Sequence, residues 1–135
     1  MNKQGLLCAA SLVVLVSAAV VARARPSDAV PSAALGDAIR GKNVFERRCT
    51  GCHALDRNDE GPKLGGVYGR TSGTVARFPY SDALQRAHIV WDDKSLERWL
   101  AGPDIFVPGS GMPVYVPKPE ERRDLIAYLK ANSKK

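Results

Sequence analysis

Apolar residues recur along this 135-residue chain at intervals that change from stretch to stretch. From Leu6 to Val21 they form an almost unbroken run. Between about Gly36 and Arg48 the spacing becomes helical, with Leu35, Ala38, Ile39, Phe45 and Cys49 predicted to share an apolar side. From Asp56 to Tyr80 the periodicity is lost among Gly61-Pro62, Gly65-Gly66, Gly69 and Ser72-Gly73, which predicts loop. A loop of this length is uncommon in a small domain unless it wraps something. Helical spacing returns after Trp91. Asp92 or Asp93 serves as the cap, Leu96, Trp99 and Leu100 share a face, and Pro103 ends the helix. The stretch from Pro103 to Pro119 holds five prolines and two glycines and reads as irregular. A last helix starts near Pro119, with Glu120 and Glu121 at the positive end of its dipole and Leu125, Ile126 and Leu129 as the buried stripe beside Tyr128. No strand alternation is visible, so the expected fold is all-α, with three to five short helices separated by long loops.

The opening run is a targeting signal by its layout. Lys3 supplies the positive start, and Ala22-Arg23-Ala24 fits a small-x-small cleavage site. At about 16 residues the run is short of the roughly 20 needed to span a bilayer. Residues 1–24 are therefore expected to be a signal peptide that takes Cys8 with it. Residues 25–34, with Pro26, Ser27, Pro31 and Ser32, are a flexible leader, and 35–135 the domain. The alternative is an uncleaved segment that tethers the protein to a membrane. Cleavage removes Lys3 and Arg23, so 20 basic residues against 14 acidic ones become 18 against 14. That mild excess argues against a nucleic-acid binder, whose basic residues would be denser and clustered.

A domain of this size with few long helices has a thin core, and such domains usually need a staple or a cofactor. Cys49-Thr50-Gly51-Cys52-His53 identifies the cofactor. The two-residue gap brings both thiols to one side of a helical turn, where they can add to the two vinyl groups of a haem. His53 then sits beneath the iron. Three other uses of the pair compete. A redox dithiol would accompany a βαβ pattern, which is absent, and a zinc site would need all four of the remaining cysteines and histidines, of which His88 is poorly placed. A disulfide across so short a loop gains little. For the sixth iron position, electron carriers use Met or His. Met112 is the one methionine besides the initiator, in Pro108-Gly109-Ser110-Gly111-Met112-Pro113. Met112 as core filler and His88 as the ligand are the competing readings.

With these residues in order, the chain from about Gly41 to Asn132 resembles the soluble class I c-type cytochromes, the mitochondrial and bacterial c2 types among them. The pieces that carry the resemblance are Gly41 and Phe45, the haem motif, Gly61-Pro62, Gly66-Val67-Tyr68-Gly69-Arg70 and Phe78-Pro79-Tyr80-Ser81-Asp82-Ala83. They continue with Trp91, Leu96-x-x-Trp99-Leu100, Pro103, Val107-Pro108-Gly109-x-x-Met112 and Glu121-Arg122-x-Asp124 to Lys130. The resemblance implies a small cytochrome c fold around one haem c attached through two thioethers. It implies that the Pro62 carbonyl accepts the His53 N–H. Arg70, Tyr80 and Trp91 would meet a buried haem propionate, whose desolvation is otherwise costly. Trp91 as a plain core indole and Arg70 as a solvated surface residue are the other readings. Gly41 and Phe45 would pack against the last helix near Tyr128.

Three departures from the family pattern stand out. Trp99 replaces a Tyr near the Met ligand, Leu84 replaces an Asn, and Val114 replaces a large aromatic. The first two make that side of the pocket more apolar, which disfavours the ferric haem and is expected to raise the potential. The loop before Met112, where the family carries lysines, has none and contains Asp104. The expected function is one-electron Fe(II)/Fe(III) transfer by a monomeric periplasmic protein. Its partners would be quinol-cytochrome c reductase, a terminal oxidase, a reaction centre or a periplasmic dehydrogenase, with docking that depends little on salt. A peroxidase-like haem enzyme, or a haem subunit of a periplasmic oxidising complex, is the alternative.

Overall fold

The computed structural model describes residues 35–133. The expected signal peptide and leader, residues 1–34, lie outside that range, as do residues 134–135. Five helices are described: α1 (Ala38–Arg48), α2 (Asp82–Ala87), α3 (Asp93–Ala101), α4 (Pro103–Phe106) and α5 (Pro119–Ala131). Among the described residues there is no strand, only an isolated antiparallel bridge between Thr71 and Val90. The all-α expectation therefore holds.

Three of the five helices, α1, α2 and α3, begin at a side chain that satisfies free N–H groups, and α4 and α5 begin at a proline. The Asp37 side chain caps α1 by accepting from the N–H of Ile39 and Arg40. Asp92 and Ser95 form a reciprocal capping box at α3. Pro119 opens α5 with Glu120 and Glu121 in the first turn, as the sequence predicts. The α1–α5 pair makes the main helix contact, and α3 also packs on α5. Gly41 lies at the first crossing, where a Cβ would overlap the Asp124 carbonyl oxygen and come within 2.8 Å of the Tyr128 Cβ. Two turns of backbone can approach this closely only with no side chain between them. Phe45 and Tyr128 meet beside it, with ring centroids 5.3 Å apart.

The predicted apolar side of α1 is buried only in part: Phe45 packs against Tyr128 as expected, but the two residues nearest the start do not. Leu35 and Ile39 are 71% and 80% exposed, while Gly41, Val44 and Phe45 are buried. The 3.6-residue period admits both stripes, and the partner helix selects the one that carries the glycine. Two short helices also depart from the prediction. Ser81 caps α2 by accepting from the Leu84 N–H, inside a stretch that follows directly on the long loop. α3 ends at Ala101 just before Pro103, as predicted, and Pro103 then opens the unpredicted single turn α4.

A candidate haem site

The last turn of α1 runs directly into the cysteine motif. The Cys49 N–H donates to Phe45 O at 2.8 Å, and the N–H groups of Cys52 and His53 both donate to Cys49 O, at 3.0 and 2.7 Å. This helical turn places Cys49, Cys52 and His53 on one wall of a cavity of about 600 Å³. A cofactor pocket typically occupies roughly 300–1,000 Å³. The other walls come from distant segments: Leu64, Val67 and Arg70 of the long loop, Trp99 and Leu100 of α3, Leu125 and Leu129 of α5, and Met112 of the strap between α4 and α5. Every predicted site residue lines this one cavity, Cys49, Cys52, His53, Pro62, Arg70, Tyr80, Trp91, Trp99 and Met112 alike. His88 does not. It is exposed and caps α2 in the left-handed region with φ 47°, so it falls away as a candidate ligand.

The histidine is prepared for a metal on one nitrogen. His53 Nδ1 lies 2.8 Å from Pro62 O, and a carbonyl can only accept, so Nδ1 carries the hydrogen. Nε2 is then left with its lone pair, the tautomer a proximal ligand needs. A Cβ on Gly61 would overlap the His53 ring, so the backbone itself closes against the imidazole and delivers the Pro62 carbonyl.

The thiols do not resemble a redox dithiol. Burial pushes the Cys49 thiol up to about 11, against an opposing pull from Arg48. The Cys52 thiol is raised first by its hydrogen bond to Glu60 Oε2, 3.4 Å away, and then by burial. Catalytic dithiols have lowered values instead. Among the described residues no group of three or more His, Cys, Asp or Glu side chains could hold a metal ion. What the residues do fit is an apolar group with two thiols, an imidazole and a thioether within reach, since all four line the one cavity.

The polar end of the cavity holds Arg70 and Tyr80. Burial lowers the Arg70 guanidinium from its usual range and raises the Tyr80 hydroxyl, and each opposes the other's shift. Arg70 also donates to Lys63 O at 2.9 Å and Gly65 O at 3.2 Å, which ties the long loop to itself. Trp91 is buried and meets Trp99 with centroids 5.2 Å apart. The sequence holds Ser81 and Ser110 within longer motifs and assigns neither a role of its own. Both line the cavity, and the Ser81 hydroxyl donates to Ser110 O at 3.0 Å. Neither belongs to a motif with a mechanism of its own, so only their three-dimensional placement distinguishes them.

A small helical domain with a Cys-x-x-Cys-His turn and a methionine strap facing one apolar cavity defines a c-type haem protein. The cytochrome c family model matches residues 38–133. Cytochrome c of Euglena viridis is 48% identical over 98 residues, covering 70% of this chain and 96% of the relative. Cytochrome c of Chlamydomonas reinhardtii is 43% identical over 99 residues, covering 70% and 88%. Among solved structures, cytochrome cH from Methylobacterium extorquens is similar, with a TM-score of 0.68 and 39% identity over 71% of this chain and 99% of that one. The chain belongs to the cytochrome c family. It is a one-electron transfer protein that works with redox partner proteins, and its cofactor is a single covalently attached haem c.

Proposed function

We propose that this protein is an exported, periplasmic electron carrier in which Cys49 and Cys52 form the two thioethers and His53 and Met112 are the iron ligands. One observation carries the reading: the cavity is faced by the Cys-x-x-Cys-His turn and by the one methionine of the domain. Bound there, haem c supplies Fe(II)/Fe(III) one-electron chemistry. The chain's residues do the rest. Pro62 holds the His53 proton, so the imidazole orientation stays fixed through the redox cycle. Leu84, Leu96, Trp99, Leu100 and Leu125, all buried, keep water from the iron side and limit reorganisation. Arg70, Tyr80 and Trp91 receive the propionate charge.

Export rests on the layout of residues 1–24 and on the chemistry of thioether attachment. The bacterial relative named above is compatible with a periplasmic setting. Partners drawn from a quinol-cytochrome c reductase, a terminal oxidase, a reaction centre or a periplasmic dehydrogenase all suit this chemistry. The strap favours a partner that does not read lysines. Pro103 to Met112 carries no basic residue, and Asp104 accepts from the Ser110 hydroxyl at 3.0 Å. A dedicated dehydrogenase partner is therefore the narrower reading.

The test is the absorption spectrum of the purified holoprotein in both oxidation states, repeated for Met112→Ala. A low-spin wild type with the weak far-red sulfur-to-iron band, lost in the variant, supports the ligation. A high-spin wild type without that band overturns it and brings the peroxidase-like reading forward. Mass spectrometry of the exported protein separates a start at Arg25 plus one haem from a retained, tethering segment.

A further inference from the structure

The strap that carries Met112 is held at its ends and not along its length. Among the described residues, no hydrogen bond is made by the backbone of residues 111–115. At the leading end, the Ser110 N–H donates to Val107 O at 3.1 Å, and the side chains of Ser110, Asp104 and Ser81 close the turn. At the trailing end, the Val116 N–H donates to Leu100 O at 2.7 Å, and Val116 is fully buried. The two carbonyls there are satisfied from one source. Arg122 Nη1 donates to Val116 O at 2.8 Å and to Pro117 O at 2.9 Å. Its Nε donates to Glu97 Oε1 at 2.7 Å. The Arg122 side chain is 11% exposed, so little water can replace it. The other Glu97 oxygen is buried with no partner, so the carboxylate has been drawn under the guanidinium at a desolvation cost.

We propose that Arg122, anchored on α5 and held by Glu97 of α3, is a positioning residue that keeps Met112 within reach of the iron. The proposal rests on Met112 being the axial ligand. A strap free in its middle keeps its methionine in place only as well as its ends are fixed. One guanidinium fixes the trailing end by bridging a carboxylate and two carbonyls at once. That geometry needs the planar fork of arginine. A lysine ammonium can reach the two carbonyls that Nη1 serves, but it has no second nitrogen to meet Glu97 as Nε does. Removing the guanidinium leaves Val116 O and Pro117 O without a donor and lets the strap lift, so an external ligand competes better for the sixth position.

The probe is imidazole, titrated into the ferric holoprotein while the far-red sulfur-to-iron band is followed. Arg122→Met is expected to bind imidazole at least about tenfold more tightly than wild type, equivalent to about 1.4 kcal/mol. Arg122→Lys falls between the two. Arg40→Met is the control for a general loss of stability, because Arg40 bonds Asp37 and Asp124 and no strap residue. It should lower the melting temperature while leaving the imidazole affinity alone. Wild-type affinity in both Arg122 variants overturns the proposal and leaves Met112 ligation standing. So does an Arg40→Met protein that gains as much imidazole affinity as Arg122→Met. If Arg122→Met yields no holoprotein, Arg122→Lys decides, and an unshifted titration counts against the proposal. A wild type with no far-red band overturns the ligation reading and the proposal with it.

Discussion

Replacing Gly41 by alanine sets helix propensity against helix packing. In an isolated helix interior the substitution is favourable by about 1 kcal/mol, because alanine restricts the unfolded chain and suits the helix. Here the new Cβ would overlap the Asp124 carbonyl oxygen and lie 2.8 Å from the Tyr128 Cβ. The first obstacle is backbone, so no change of rotamer relieves it. α5 has to move away from α1, and Phe45, Leu125 and Ile126 lose contacts as it does. Overpacking of this kind costs about 1–3 kcal/mol, and a backbone obstacle argues for the upper end. Steric cost less propensity gain leaves a net destabilisation of about 2 kcal/mol. For a domain of this size that corresponds to a fall in Tm of about 8–16 °C. The assay is thermal unfolding of ferric holoprotein, followed by far-ultraviolet circular dichroism and by the Soret band. A Gly41→Ala protein as stable as wild type, or more so, refutes the argument that the small residue serves the helix crossing.

Two further outcomes follow from the same contacts. Asp124 is 7% exposed and accepts from Arg40 Nε at 2.8 Å and from the Asp37 N–H at 2.7 Å. The Arg40 guanidinium, with the Asp37 N–H, holds its carboxyl below the usual carboxylate range. A depressed folded-state value contributes stability above the unfolded value of about 3.9 and loses it as pH falls through the folded one. Denaturant unfolding should therefore show Asp124→Asn less stable than wild type at pH 7, with the gap closing as pH drops below about 4; a gap independent of pH contradicts this. At the cavity, Leu84 and Trp99 are buried against the haem site. Leu84→Asn and Trp99→Tyr should each lower the reduction potential by on the order of tens of mV in a redox titration, given about 59 mV per tenfold for one electron. A rise in both would sink the polarity argument.

Much of the site was legible in the chain because its chemistry is local or unique. Cys49, Cys52 and His53 fall within a single turn, and their spacing alone dictates a shared side. Met112 stood out as a candidate because the domain offers no second methionine, and it lines the same cavity. Helices α1, α3 and α5 followed from periodicity, from the Asp92 cap of α3 and from Pro119, whose fixed backbone angle suits the first turn of α5. Periodicity says which residues share a face, though not which face finds a partner. Leu35 and Ile39 matched the helical period as well as Phe45 did, yet they stay exposed while Phe45 is buried against Tyr128 beside Gly41, with Val44 next to it. The six-residue α2 was too short for a periodic signal, and its Ser81 cap was one hydroxyl among many in a polar stretch. Ser110 and Arg122 carry no motif of their own, and their roles exist only through partners elsewhere in the chain, Ser81 and Asp104 for one and Glu97 and Val116 for the other. The sequence by itself determined the cofactor chemistry and the helical class, because those depend on residue type and short spacing. Tertiary structure alone decided the buried faces and the bracing of the Met112 strap, because contacts between distant segments are set by how close the backbones can come.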